Sequence, residues 1–541
     1  EGKGDGQPGL GIPIDLSLAF HTDAGVTPGD SIIGTLAIYS TGSDNGRFPD
    51  STSRMASRDL SDIVQTQIVE DIRKKYNPDW TRRGIWDRPY YEARKPNVPA
   101  MLLELLSHQN LADQKYGLDP RFRFDVSRAV YKGILKYLAF VENREYVVQP
   151  LPVTDFSIMP VSGRKVRLSW KPVTDSNEPT AQPEKYIIYK RKGENGFDNG
   201  TLTDNLFYET ELETFDDVYS FKVTAVNDGG ESFDSEILSA GIRSESSGNV
   251  MIVNGFDRIS GPSWFDNNSM AGISWWDDRG VADKYDFITI GDQYDFSRKN
   301  PWLDDDSPGW GATYADVAGR VNPGNSFDYP YIHGKAILDA GYSFYSASDE
   351  FFCSKDYDKY TFKIIDLIFG EERSTPFFND SSRLDFSIYT PDFMKRIEDL
   401  TGRGTNIFMS GSYVGSDLSA QRDSTAIKFA ERYLHFLPRT GHAVKNGNVY
   451  TTDYVRSSFE CKFDFNTDYS KDIYSVEAPD GIEPSGAGAL CAFRYGETNA
   501  SAGVIYKGTH RTVILGFPFE TITGSENRNT LMKQILNFFE K

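Results

Sequence analysis

Cysteine is scarce in this sequence. Cys353, Cys461 and Cys491 are the only three in 541 residues, and none precedes Cys353. That spacing makes neither a disulfide framework nor a thiolate metal site; at most one pair can form, leaving an odd thiol. Histidine is also rare, with six. Long apolar runs are missing: no stretch reaches the ~20 residues needed to span a bilayer as a helix. The opening Glu1-Gly2-Lys3-Gly4-Asp5-Gly6 reads as a flexible loop rather than a signal peptide, as expected of a mature or shortened form. Positive charge is the last deficit, with 58 Lys and Arg against 78 Asp and Glu and a formal net charge of -20. An acidic surface weighs against nucleic acid or an anionic membrane as the main partner and leaves a neutral glycan or peptide open.

Apolar material for packed cores is ample, at 39% hydrophobic and 14% aromatic residues. The chain is too long for one core, so about three or four domains are expected. In residues 1–147, Ile14–His21 and Ile32–Tyr39 read as strands, and Leu60, Ile63, Val64, Ile68 and Ile72 give a helix that Asn77-Pro78 stops. Ala100–Leu105 reads as another strand, and Val126, Val130, Ile134 and Leu138 mark a helix from about Asp125 to Leu138. Strand–helix–strand–helix is α/β. His21 and Glu104 are polar groups at or near the ends of its apolar runs, where open α/β sheets bind ligands. Delivered together, they would supply a metal ligand and a general base.

Three stretches carry a resemblance. They are Ala19-Phe20-His21-Thr22-Asp23-Ala24, Arg83-Gly84-Ile85 followed by Tyr90-Tyr91-Glu92-Ala93-Arg94, and Pro99-Ala100-Met101-Leu102-Leu103-Glu104-Leu105-Leu106-Ser107. In order and spacing this segment resembles the C-terminal part of the zinc-dependent N-acetylmuramoyl-L-alanine amidases. The resemblance implies that His21 is a Zn²⁺ ligand and that Glu104 is the catalytic base. It also implies two further ligands, a histidine and a glutamate, from an earlier strand and helix. No histidine precedes His21, so the expectation is the downstream half of a zinc site, with its partners on a longer polypeptide or absent. His108 is expected to cap a turn.

Residues 148–246 open on Pro150-Leu151-Pro152. Val166–Trp170, Tyr186–Lys190 and Tyr219–Asn227 then alternate with period two, with turn signals such as Ser162-Gly163 and Asp228-Gly229-Gly230 between such runs. The pattern resembles a fibronectin type III β-sandwich, with Trp170 in its core and Tyr219 opening a strand. Its aromatics read as core.

Residues 247–541 begin with the apolar strand Asn249–Phe256 running into a Gly turn. Further strands are expected at Phe287–Ile290, Phe362–Ile368, Asn406–Ser410 and Thr512–Phe517, and helices at about 391–402, 420–435 and 525–540. The segment resembles the class I glutamine-amidotransferase-like, flavodoxin-like fold, a doubly wound sheet. Its elbow reads Gly411-Ser412-Tyr413-Val414-Gly415, with tyrosine at the nucleophile's position, and Gly516-Phe517-Pro518-Phe519-Glu520 puts proline at the histidine's. Without thiolate and base the transfer chemistry is lost, so a binding or structural module is expected. Trp264, Trp275, Trp276, Trp302 and Trp310 with Asp304-Asp305-Asp306 form an aromatic and acidic insertion, read as loop packing and a solvated charge run.

The order of domains resembles large secreted Bacteroidetes proteins labelled xanthan lyases. The leading expectation is a secreted, periplasmic or cell-surface hydrolase acting on the lactyl–peptide amide of peptidoglycan. The alternatives are a glycan-binding scaffold with a degenerate amidase domain, and a polysaccharide lyase. Peptidoglycan or another glycan is the expected partner, with no nucleic acid and no transmembrane segment; oligomeric state stays open.

Overall fold

Residues 12–25, 27, 31–274, 276–280, 297, 328–378, 380–420, 424–468 and 470–540 are described by the computed structural model. The N-terminal segment is built on β4 (Ala100–Ser107). Its neighbours are β1 (Ser17–Asp23) and β2 (Thr35–Tyr39), with β3 (Arg82–Asp87) beyond β2, giving the order β1-β4-β2-β3. β1 runs parallel to β4 and β2 antiparallel to it. An apolar run is what a strand between two neighbours requires, because both of its faces leave water. Met101, Leu103 and Leu105 pack on the helices α1 (Met55–Lys75) and α4 (Pro120–Glu142), while Leu102 joins Leu36, Ile38 and Ala19 on the opposite face. Each such fully buried leucine contributes about 2 kcal/mol of transfer free energy.

α4 starts five residues before the periodicity suggests, at Pro120. Asp119 caps it, its carboxylate accepting the Arg121 amide at 2.8 Å and the Phe122 amide at 3.4 Å. The helix ends on Asn143 in the left-handed conformation at φ 51°. A Cβ on Gly133 would stand 2.8 Å from the Val64 Cα, which lets α4 lie close on α1. Two short helices, α2 (Tyr91–Arg94) and α3 (Leu111–Gly117), flank β4.

The second segment is a sandwich. β5 (Thr154–Ser162), β6 (Lys165–Lys171) and β9 (Phe207–Glu211) form one antiparallel sheet. β7 (Lys185–Lys192), β8 (Thr201–Thr203), β10 (Val218–Asn227), β11 (Gly230–Glu231) and β12 (Leu238–Gly241) form the other. Trp170 lies in the core against Tyr186. Tyr219 is fully buried and its hydroxyl accepts the Thr214 amide at 3.1 Å, a tyrosine tying down the corner that precedes its own strand.

The third segment carries a parallel sheet. Its strands are β13 (Asn249–Asn254), β16 (Ser343–Ser348), β17 (Ile364–Gly370), β20 (Asn406–Gly411) and β27 (Arg511–Leu515), in the order β16-β13-β17-β20-β27. β26 (Ser501–Lys507), β25 (Ala489–Tyr495), β22 (Asn448–Thr451) and β23 (Lys462–Asp464) extend it antiparallel beyond β27. Two hairpins, β14 (Trp264–Asp266) with β15 (Ala271–Ile273) and β18 (Thr375–Phe377) with β19 (Asp380–Asp385), and the non-local antiparallel pair β21 (Phe436–Thr440) with β24 (Gly481–Pro484) form separate two-stranded sheets. The faces are covered by α5 (Tyr329–Asp339), α6 (Asp349–Cys353), α7 (Pro391–Gly402) and α10 (Ser525–Glu540). Within the helix expected at about 420–435, α9 (Thr425–Phe429) runs directly into a π turn over Ala430–Leu434; α8 (Ser416–Ala420) precedes it, and residues 421–423 lie outside the described residues.

β16 was not expected as a strand, because Ser-Phe-Tyr-Ser-Ala-Ser lacks an apolar run. Its serines are nonetheless buried and paired: the Ser346 hydroxyl donates to the Ser239 carbonyl at 2.6 Å and accepts the Ser239 amide at 2.8 Å. Through these contacts β16 joins the sandwich, pairing with β5 and β12. The strand expected at Phe287–Ile290, together with Trp275, Trp302, Trp310 and Asp304–Asp306, lies outside the described residues. Trp264 packs with Leu111, Leu118, Ala271 and Ile273, under the Lys115 ammonium at 4.4 Å, whereas Trp276 is exposed.

Candidate active site

Parallel pairing sets His21 directly opposite Glu104. Residues in register on neighbouring parallel strands project to the same face, so imidazole and carboxyl share the face away from α1 and α4. His21 is exposed at the sheet edge and Glu104 is half-buried. The Glu104 Oε2 is buried and accepts no hydrogen bond. Burial pushes this carboxyl above its ordinary value and the Asp23 carboxylate adds to the rise, while His21 and Arg83 act against it. Asp23 itself is held by Arg83 at 2.6 Å, and the Arg83 guanidinium rests over the Trp86 ring. The face thus carries one imidazole, one carboxyl inclined to take up a proton, and a neighbouring ion pair that sets its charge. A carboxyl raised by burial beside an imidazole is a candidate for general acid–base work.

His108 makes more than a turn cap. Its amide donates to the Asp23 carbonyl at 3.0 Å and its Nδ1 lies 3.1 Å from the Thr22 hydroxyl, which ties the ends of β1 and β4 together. A groove lined by Phe20, Thr22, His108, Phe122 and Val126 opens nearby. Phe20 and Thr22 alternate with His21 along β1, so this groove belongs to the other face and is not the cleft of His21.

Catalytic zinc takes three protein ligands. His21 offers one imidazole, and the Asp23 carboxylate is already engaged by Arg83. Among the described residues, the group of three or more potential ligands within 4.8 Å of one another is Asp257, Asp349 and Glu350, in the third segment. The donors around His21 therefore do not fit a complete zinc site by themselves.

The elbow of the third segment is built of buried groups. Ser412 is fully buried with no partner for its hydroxyl. Tyr413 is 2% exposed, and its hydroxyl donates to the Asp277 carbonyl at 3.3 Å. Glu520 faces neither: it accepts the Tyr474 hydroxyl at 2.6 Å and lies 3.3 Å from His333 Nε2. Sequence reasoning missed His333, which also meets Asp366 at 2.9 Å through Nδ1. It also missed the carboxylates at 257, 349 and 350, which follow two different strands, the latter two opening α6, and leave no motif.

The N-terminal segment is thus a mixed sheet with an imidazole and a raised carboxyl on one face, backed by two long helices. Residues 12–136 match the N-acetylmuramoyl-L-alanine amidase family and form a domain of it. No curated protein matches the chain. Among solved structures, the sandwich gives distant matches. One is the twitchin kinase region from C. elegans, at 22% identity over 18% of this chain and 17% of that one, with a TM-score of 0.16. Another is the FN5 domain of Drosophila Lar, at 19% identity over 17% of this chain and 97% of that one, with a TM-score of 0.14. The third fibronectin III domain of human KIAA0343 protein matches at 17% identity over 19% of this chain and 90% of that one, with a TM-score of 0.16. The case for the sandwich rests on its own strand order and tyrosine corner. No helix among the described residues is long and apolar enough to cross a membrane.

Proposed function

We propose that residues 12–136 form an amidase-type hydrolase unit directed at the lactyl–peptide amide of peptidoglycan, working in a secreted, periplasmic or cell-surface setting. The observation that carries this reading is the register pair His21–Glu104 on one face of a family-matched sheet, with Glu104 raised by burial. Glu104 is the proton acceptor for the attacking water and returns the proton to the leaving amine; His21 lies beside it at the open edge. Arg83 holds Asp23, which keeps that carboxylate from competing for the incoming cation or proton.

A second reading is favoured by the incomplete donor set: a glycan-binding module in which the amidase sheet recognises peptidoglycan without cleaving it. The strand order β16-β13-β17-β20-β27 of the third segment supports a flavodoxin-like reading, and we read it, with the sandwich, as a non-catalytic module. Soluble muropeptides separate the two readings. The hydrolase reading expects zinc-dependent release of free peptide that Glu104→Gln abolishes while binding persists. Binding without release, unchanged by Glu104→Gln, would favour the module.

A further inference from the structure

The carboxyl ends of β13, β16 and β17 converge on a second cluster of polar groups. Asp257 follows β13, Asp349 and Glu350 follow β16, and Glu371-Glu372 follow β17. One carboxylate oxygen each from Asp257, Asp349 and Glu350 falls within 4.8 Å of the others. Carboxylates alone are common on protein surfaces, but two buried neighbours distinguish this place. Asn254, fully buried, is the last residue of β13 and pairs in register with Ser348, the residue before Asp349. Its Nδ2 donates to Glu236 at 2.7 Å, while its Oδ1 has no partner. Glu372 is 4% exposed, and its Oε2 is likewise buried without a partner.

Charge is also out of balance here. Arg258, the nearest buried cation, is committed to Asp278 and to the Glu371 carbonyl, the latter at 2.7 Å. Among the described residues, no lysine or arginine pairs with Asp257, Asp349 or Glu350. Buried oxygens left without a partner, on Asn254 and Glu372, are costly unless a cation or water meets them.

We propose that Asp257, Asp349 and Glu350, with Asn254 and Glu372 as further oxygen donors, bind a hard divalent cation of the Ca²⁺ class at the carboxyl end of the parallel sheet. An all-oxygen donor set gathered where three strands end selects Ca²⁺ over zinc, which favours nitrogen and sulfur. Mg²⁺ keeps most of its water and uses one or two carboxylates, so three or more favour the larger ion. The nearby Cys353 is no ligand, since burial and the Asp349 carboxylate push its thiol up to about 12. This site stands apart from the His21–Glu104 face and does not depend on its activity.

The test is calorimetric titration and thermal unfolding of the whole chain after chelation, with Ca²⁺, Mg²⁺ and Zn²⁺ added separately. Ca²⁺ is expected to bind at one site per chain and raise the unfolding temperature. Asp257→Asn/Asp349→Asn should weaken Ca²⁺ by about tenfold or more, yet unfold no earlier than wild type without the ion, because repulsion is relieved. Glu350→Gln, at an exposed position, should fold normally and also weaken binding. His21→Ala should leave the Ca²⁺ response intact. Absence of a response at about 1 mM Ca²⁺, an equal response in these carboxylate variants, or preference for Zn²⁺ would overturn the site and leave protons as what relieves the cluster.

Discussion

Both ring nitrogens of His333 face carboxylates, so both must donate and the ring is an imidazolium. The residue is fully buried on α5, edge-on to Phe519. Burial pushes its pKa down, but Asp366 and Glu520 outweigh that and hold it at about 9, against an ordinary 6.5. A group raised on folding stabilises fully below its unfolded pKa. That stability drains away as pH climbs from 6.5 to about 9. The difference corresponds to about 3 kcal/mol. Other buried carboxyls slope the same way, Asp366 and Asp480 among them. Burial raises Asp366 above 3.8 and raises Asp480 to about 8, so each also favours the folded state at lower pH. The double variant His333→Gln/Asp366→Asn removes the imidazolium and its closest partner together and leaves the Asp480 slope common to both proteins. Urea unfolding, followed by hydrogen exchange of the α5 amides, gives the stability gap between wild type and variant. That gap should shrink by about 3 kcal/mol between about pH 6 and about pH 9.5. A gap that stays flat across this range would refute the charged-histidine account.

Two further outcomes follow from particular contacts. Helix propensity alone favours Gly133→Ala by about 1 kcal/mol, but the new Cβ would press on the Val64 backbone at 2.8 Å. The variant should therefore lose about 1–3 kcal/mol in denaturant unfolding, and a gain would show that α1 and α4 can part easily. Arg83→Ala removes a cation that lowers the Glu104 pKa and frees Asp23, which raises it. Glu104 acts as a base only when ionised, so activity is lost as pH falls through its raised pKa. The acidic limb of the kcat/KM profile should move to higher pH in the variant; an unmoved limb would separate Glu104 from the rate.

What the sequence made legible were elements whose local pattern and burial agree. β4 is apolar but for Glu104 up to Ser107 because its faces pack on the helices and on β1 and β2 side chains, and α7 and α10 follow their apolar periods from end to end. The sandwich strands were readable because one face is wet and the other buried, which gives alternation. β16 escaped because its hydroxyls are satisfied by partners more than 100 positions away in sequence. The helix expected at about 420–435 stops where expected because His435 turns left-handed at φ 63° right after the π turn. At the site, His21 and Glu104 could be named from short motifs, but their shared face comes from the β1–β4 register, which no local pattern states. The acidic cluster was invisible for the same reason: its members meet only where three strands end.

The account stands on His21 and Glu104 acting as one unit, and a double-mutant cycle on peptide release from muropeptide tests that most directly. His21→Ala and Glu104→Gln should each abolish most of the zinc-dependent rate, with the double variant no slower than either, since groups that act together are not additive. Losses that multiply, or a Glu104→Gln protein as fast as wild type, would contradict it.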